Sequence, residues 1–139
     1  MADMRARTEK LGYEDVETYI QTGNVLLTTK DSAKKVTAAL EKEFGTRAFV
    51  YTKAQLKKAA DANPLVKRGW RTHLLFCEKV PKDPGELDGY ACATAGKVLY
   101  YAFREADAGK RRSIPFEKLA GVAGTGRSAK VVGEILDRL

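Results

Sequence analysis

The run Thr72-His-Leu-Leu-Phe-Cys77 constrains this chain more than any other stretch. Its apolar residues are nearly continuous rather than alternating, which marks a central strand covered on both faces. A sheet must therefore form around it. The other strand-like runs are short and joined by turns. Val16–Ile20 and Val25–Thr29 flank Gln21-Thr-Gly-Asn24, where Gly and Asn suit positive φ, a hairpin signal. Tyr90–Thr94 and Lys97–Phe103 flank Ala95-Gly96 in the same way. Ala48–Tyr51 reads as a further strand.

Helical periodicity fills the intervals. Ala2–Leu11 is closed by Gly12. A helix capped by Asp31 or Ser32 carries the stripe Val36, Ala39, Leu40 and Phe44, and Gly45 ends it. Lys53–Ala62 stops at Asn63-Pro64. Pro81–Leu87 and Ile114–Ala120 are short helices. Ser128–Leu139 is amphipathic, with Val131, Val132, Ile135 and Leu139 on one face. Helices alternating with strands joined by hairpins give an α+β fold with mostly antiparallel pairing. The 139 residues suit one globular unit made of two small halves, 1–62 and 63–139, with the seam at 63–69.

Composition narrows the function classes. No run approaches 18 apolar residues, so no membrane span is expected. The N-terminus lacks a secretory pattern and both cysteines sit in apolar runs, so a cytoplasmic protein with buried thiols is expected. With one histidine, His73, and no Cys/His cluster, neither a metal site nor a cofactor is expected. The net charge of +7 is unevenly placed: residues 46–82 alone hold 9 basic and 2 acidic groups. Such a concentration attracts anionic ligands or nucleic acid, or serves as a solvated face.

Four constellations could carry chemistry. Gly121-Val-Ala-Gly-Thr-Gly126-Arg127-Ser128 has phosphate-loop spacing, with arginine in place of lysine. It comes after a helix rather than a strand, which argues against a nucleotide-triphosphate loop. It reads either as a glycine-rich connection with a helix cap or as an anion site of Thr125, Gly126 and Arg127 at a helix start. Gln21, Thr22 and Asn24 put polar side chains at one hairpin tip, for ligand binding or for turn chemistry. Lys53, Lys57 and Lys58 share a helix flank, and Lys67, Arg68 and Arg71 surround Trp70, a pattern suited to phosphate contact with base stacking. Finally, Tyr100-Tyr101 alternate across a strand near Arg104 and Lys110-Arg-Arg112. No nucleophile–base set or paired carboxylates stand out.

Two of these motifs resemble a known family. Leu11-Gly-Tyr13 with Tyr19-Ile-Gln-Thr-Gly-Asn-Val25 after it is similar to the bacterial family called domain of unknown function 1697, whose hairpin reads Tyr-Ile-Gln-Ser-Gly-Asn-Val. Thr125 and Arg127 match its Thr-x-Arg segment before the last helix, whereas Ser128 and Ala129 depart from its Asn-Trp. The resemblance implies two ferredoxin-like halves and no established activity. It also implies an opening strand and glycine-rich turn before the first helix, which this sequence lacks. The first half is therefore expected to miss its opening strand. The expectation is a chain that is truncated or begins at an internal methionine; alternatively 16–20 re-pairs directly with 47–51, or a second copy fills the unpaired strand edge, giving a homo-oligomer.

Two functions remain open at this level. One is a binding module for an anionic small molecule or nucleic acid. The other is a small enzyme acting on a phosphorylated or anionic metabolite, with the 21–24 and 124–128 segments converging.

Overall fold

The structure, a computed structural model, describes residues 2–19, 23–85, 87, 89–107 and 115–139. It is α+β with two antiparallel sheets. The chain divides into two compact units, Met1–Thr52 with Leu139, and Lys53–Arg138. The boundary falls before the third helix rather than at 63–69, because that helix packs within the second unit.

In the first unit, α1 (Ala2–Lys10) leads through Gly12, at φ 94°, into β1 (Glu14–Tyr19), which pairs antiparallel with β2 (Asn24–Thr28). A bulge interrupts the ladder between Glu14 and Glu17, and Asp15 within it takes φ 51°. Then comes α2 (Ala33–Phe44). Its limits obey the sequence signals. Ser32 Oγ accepts the Lys35 amide at 3.2 Å, and Gly45 at φ 67° returns its amide to the Glu41 carbonyl. Val36 turns inward onto Tyr13 and Val16, with Val25, Leu27, Leu40 and Val50 around them. Arg7 Nε donates to Glu43 Oε1 at 2.9 Å and its guanidinium lies 4.6 Å from the Phe44 ring centre, so α1 is fastened to the end of α2.

The expected strand at 48–51 does not form. Among the described residues the sheet of this unit holds β1 and β2 alone, so the direct pairing of 16–20 with 47–51 is not made. A strand exists only through a ladder partner. Here the Ala48 amide donates instead to the Glu41 carboxylate at 3.1 Å, while Val50 packs on the core without joining the sheet.

The second unit carries α3 (Lys53–Asp61), β3 (Trp70–Cys77), β4 (Ala91–Ala95), β5 (Val98–Arg104), a 3-10 turn at Glu105–Asp107, α4 (Phe116–Ala120), β6 (Gly124–Ser128) and α5 (Ala129–Arg138). Its sheet runs β4-β5-β3-β6, all antiparallel. As the apolar run required, β3 lies inside the sheet. One face of the sheet buries Leu75, Cys77, Leu99 and Phe103 against Tyr90, Phe116 and Ala120. On the other, Tyr100 donates its hydroxyl to the Ala59 carbonyl of α3, and α3 and α5 pack together.

Two expectations fail here. Pro81–Gly85 forms no helix; Pro84 lacks an amide to donate, and Lys82 donates its own to the Ala120 carbonyl. The glycine-rich segment before the last helix is not a loop but a strand. A Cβ on Gly124 would stand 2.8 Å from the Phe76 carbonyl oxygen, so glycine is what lets β6 close onto β3. The helix expected over Ile114–Ala120 starts later, at Phe116, with Pro115 outside it at ψ 75°; Ile114 lies outside the described residues.

Candidate functional site

The basic stretch gains its geometry from three local devices. First, α3 buries Leu56 and leaves Lys53, Lys57 and Lys58 exposed on its outer flank. Lys57 pairs with Asp61 at 2.9 Å. Second, Asn63 ends the helix and fixes the connection beyond it. Its side-chain oxygen accepts the Leu65 amide at 3.0 Å and its amide donates to Thr72 Oγ1 at 3.1 Å, tying that connection to β3. Third, Lys67-Arg68-Gly69-Trp70 is a tight turn in which the Trp70 amide donates to the Lys67 carbonyl at 3.1 Å. Gly69 has φ 81° at the third position, which type II turns reserve for glycine. The Gly69 carbonyl accepts the Glu105 amide at 2.8 Å, so the turn is bound to the end of β5.

These devices collect charge around one aromatic ring. Trp70 is half-buried and paired across the ladder with Arg104. Lys67 Nζ lies 5.7 Å and the Arg104 guanidinium 5.8 Å from Trp70 ring centres, within cation–π range. Arg68 is exposed beside them. Arg71 does not join this group. Strand alternation sends it to the opposite face, where it pairs with Glu105 at 3.3 Å. Arg104 does join it, although sequence reasoning had no means to place it there. It stands 34 residues from Trp70, and only the β3–β5 register makes them neighbours.

Thr125, Gly126 and Arg127 lie on β6 rather than on a phosphate-cradling loop. The register sets Arg127 opposite Leu74 and Thr125 opposite Phe76, hence on the Trp70 face of the sheet. One Arg127 guanidinium nitrogen donates to Thr125 Oγ1 and to the Gly126 carbonyl, both at 2.8 Å. Burial pulls the guanidinium below its usual range, though arginine keeps its charge. The start of α5 is capped by Ser128, whose Oγ accepts the Val131 amide at 3.2 Å.

In the first unit, Asn24 closes the mouth of the hairpin by donating its side-chain amide to the Tyr19 carbonyl at 3.0 Å, and Gly23 takes φ 84°. Gln21 and Thr22, like Lys110–Arg112, lie outside the described residues.

A second arrangement escaped the sequence. Cys92, Tyr101, His73 and Ser128 form one row across the sheet, one residue from each of its four strands. His73 stacks on Tyr101 with ring centres 5.1 Å apart, and Tyr101 stacks on Phe116 at 3.9 Å. Burial, with a smaller contribution from Asp83, pushes the Cys92 thiol up to about 11, so it stays protonated at neutral pH. The Ser128 hydroxyl is engaged as the α5 cap. The row's two rings, His73 and Tyr101, belong with Phe116 to one stack. Among the described residues no group of three or more His, Cys, Asp or Glu could hold a metal ion, and no helix is long and apolar enough to cross a membrane.

The model of the family described as protein of unknown function (DUF1697) matches residues 1–98. The chain belongs to this family. The match takes in the Tyr19–Val25 hairpin motif and the 67–70 turn, and stops before β6. Among solved structures, a conserved bacterial protein from Streptococcus pneumoniae superposes with a TM-score of 0.71 at 21% identity, over 99% of this chain and 87% of that one. That likeness establishes a shared fold. No curated protein matches the sequence.

Proposed function

We propose that the second unit is a binding module for nucleic acid or a similar polyanion, using the flank of α3 and the 67–70 turn. The observation that carries this reading is the grouping of Lys67, Arg68 and Arg104 about Trp70, close in sequence to Lys53, Lys57 and Lys58. The distribution of charge supports it. Residues 53–138 hold 17 basic and 10 acidic groups, while the remaining residues hold 8 of each, so the whole excess of seven belongs to one unit. Backbone hydrogen bonds hold the turn, so only its side chains need ordering when a ligand arrives. An enzyme of anionic metabolites finds less support, since Asn24 and Arg127, two residues it would use, already hydrogen-bond within the chain, to the Tyr19 carbonyl and to Thr125 and the Gly126 carbonyl.

Binding of a fluorescently labelled oligonucleotide across a salt series tests the reading. About five phosphate contacts would lose roughly a hundredfold in affinity between 50 and 200 mM salt. The variant Lys53→Gln/Lys57→Gln/Lys58→Gln is expected to flatten that slope. Absence of binding at low salt, or a salt response identical in the variant, overturns the proposal.

A further inference from the structure

We infer that the 67–70 turn is a stacking site for an unpaired nucleobase, with Trp70 as the platform, so that the unit prefers single strands to duplex. This rests on the polyanion-binding reading and names the form of the ligand.

The point from which the indole projects is set by backbone. Trp70 is fixed on one side by the turn hydrogen bond from its own amide to Lys67 and on the other by the ladder to Arg104. It is half-buried, whereas Lys67, Arg68, Gly69 and Arg104 around it are exposed. Trp70 is thus a partly exposed aromatic residue among exposed cations. Lys67 and Arg104 rest near the indole at 5.7 and 5.8 Å. At exposed positions cation–π contacts are weak, and a base stacked on an aromatic ring is worth more. An arriving base can displace one cation from the ring, and that cation then meets the phosphate attached to the same nucleotide. A duplex offers the phosphates but keeps its bases stacked inside, so it would engage the cations and leave the indole unused. Only a single strand satisfies both parts of the site.

Trp70 is the sole tryptophan, so intrinsic fluorescence reports this site directly. Three probes would be titrated at low salt: oligo(dT), a duplex of the same length, and inorganic polyphosphate. We expect oligo(dT) to quench the emission and to bind more tightly than the duplex. Read by isothermal titration calorimetry, because the variants lack the indole, Trp70→Leu, with Trp70→Phe as a ring-retaining control and circular dichroism to verify folding, is expected to lose roughly tenfold or more in affinity for oligo(dT). Its affinity for polyphosphate should stay unchanged. If oligo(dT) and duplex bind equally, without quenching and regardless of Trp70→Leu, the stacking site is wrong while the polyanion surface stands. Should none of the three probes bind, the polyanion reading itself falls. The wild-type quenching needs no variant, so a folding defect in Trp70→Leu would not shield the inference.

Discussion

The two units are built from the same kinds of element and differ in charge and in depth of core. The first has a two-stranded sheet, equal numbers of basic and acidic residues, and a core centred on Tyr13, Val16 and Val36. The second has a four-stranded sheet, all the net charge, and Tyr100, Phe103, Leu74, Leu99 and Val132 almost wholly excluded from solvent. A four-stranded sheet with both faces covered can anchor an exposed turn at each strand end and still retain its core. The second unit carries Lys67 and Arg68 on such a turn, Arg104 at the end of β5, and Lys53, Lys57 and Lys58 on a helix flank, all of them exposed. Stability and charge are separable at those exposed positions.

The largest test of the contrast lies in the cores. Leu99 is 0% exposed, and Leu99→Ala should cost about 2–5 kcal/mol. Val36→Ala, in the first unit, removes two methyl groups and should cost roughly 2 kcal/mol. Urea unfolding monitored through Trp70 fluorescence reads the second unit, so Leu99→Ala should move the midpoint more. A midpoint moved by Val36→Ala in proportion to its cost would mean that the two cores unfold as one.

Alkaline pH should separate the units next. Burial raises the thiols of Cys77 and Cys92 and the phenol of Tyr100, Cys92 reaching about 11. All three belong to the second unit. An unfolded thiol titrates near ~8.5. Groups raised in the folded state contribute stability that is complete below the unfolded value and is lost as pH climbs toward the folded one. Chemical denaturation should therefore show stability falling from about pH 8.5 upward to pH 11, with Cys92→Ala flattening the decline. A profile that is level over this window, or unaltered by the substitution, would remove the thiols as its cause.

The smallest effect is expected in the first unit. Asp15 sits in the β1 bulge at φ 51°, where glycine has no steric penalty. Asp15→Gly should raise stability by less than about 1 kcal/mol, since the gain is offset by the entropy of the unfolded chain. A lower melting temperature would show that the carboxylate has a role of its own.

Much of the fold was legible where the signal is local. The α2 limits come from Ser32 and Gly45, and the end of α3 from Asn63-Pro64, because caps and stops act within a turn of the residue that carries them. The α3 flank was legible for the same reason: Lys53 and Lys57 are four apart on a helix. Segments that depend on a partner were not. Ala48–Tyr51 has strand composition and forms no strand, for want of a neighbouring ladder. Gly124–Ser128 has turn composition and becomes a strand, since the open edge of β3 accepts it and glycine permits the approach.

By itself, then, the sequence determined the α+β class, the central place of 72–77, the helix ends, and the concentration of cations beside Trp70. Only the tertiary structure decided which of those cations share a surface. The register brought Arg104 to the indole, turned Arg71 to the opposite face and moved Arg127 onto a strand. Periodicity states which residues of one strand lie together; the pairing of distant strands, set by how the core closes, states which strands lie together.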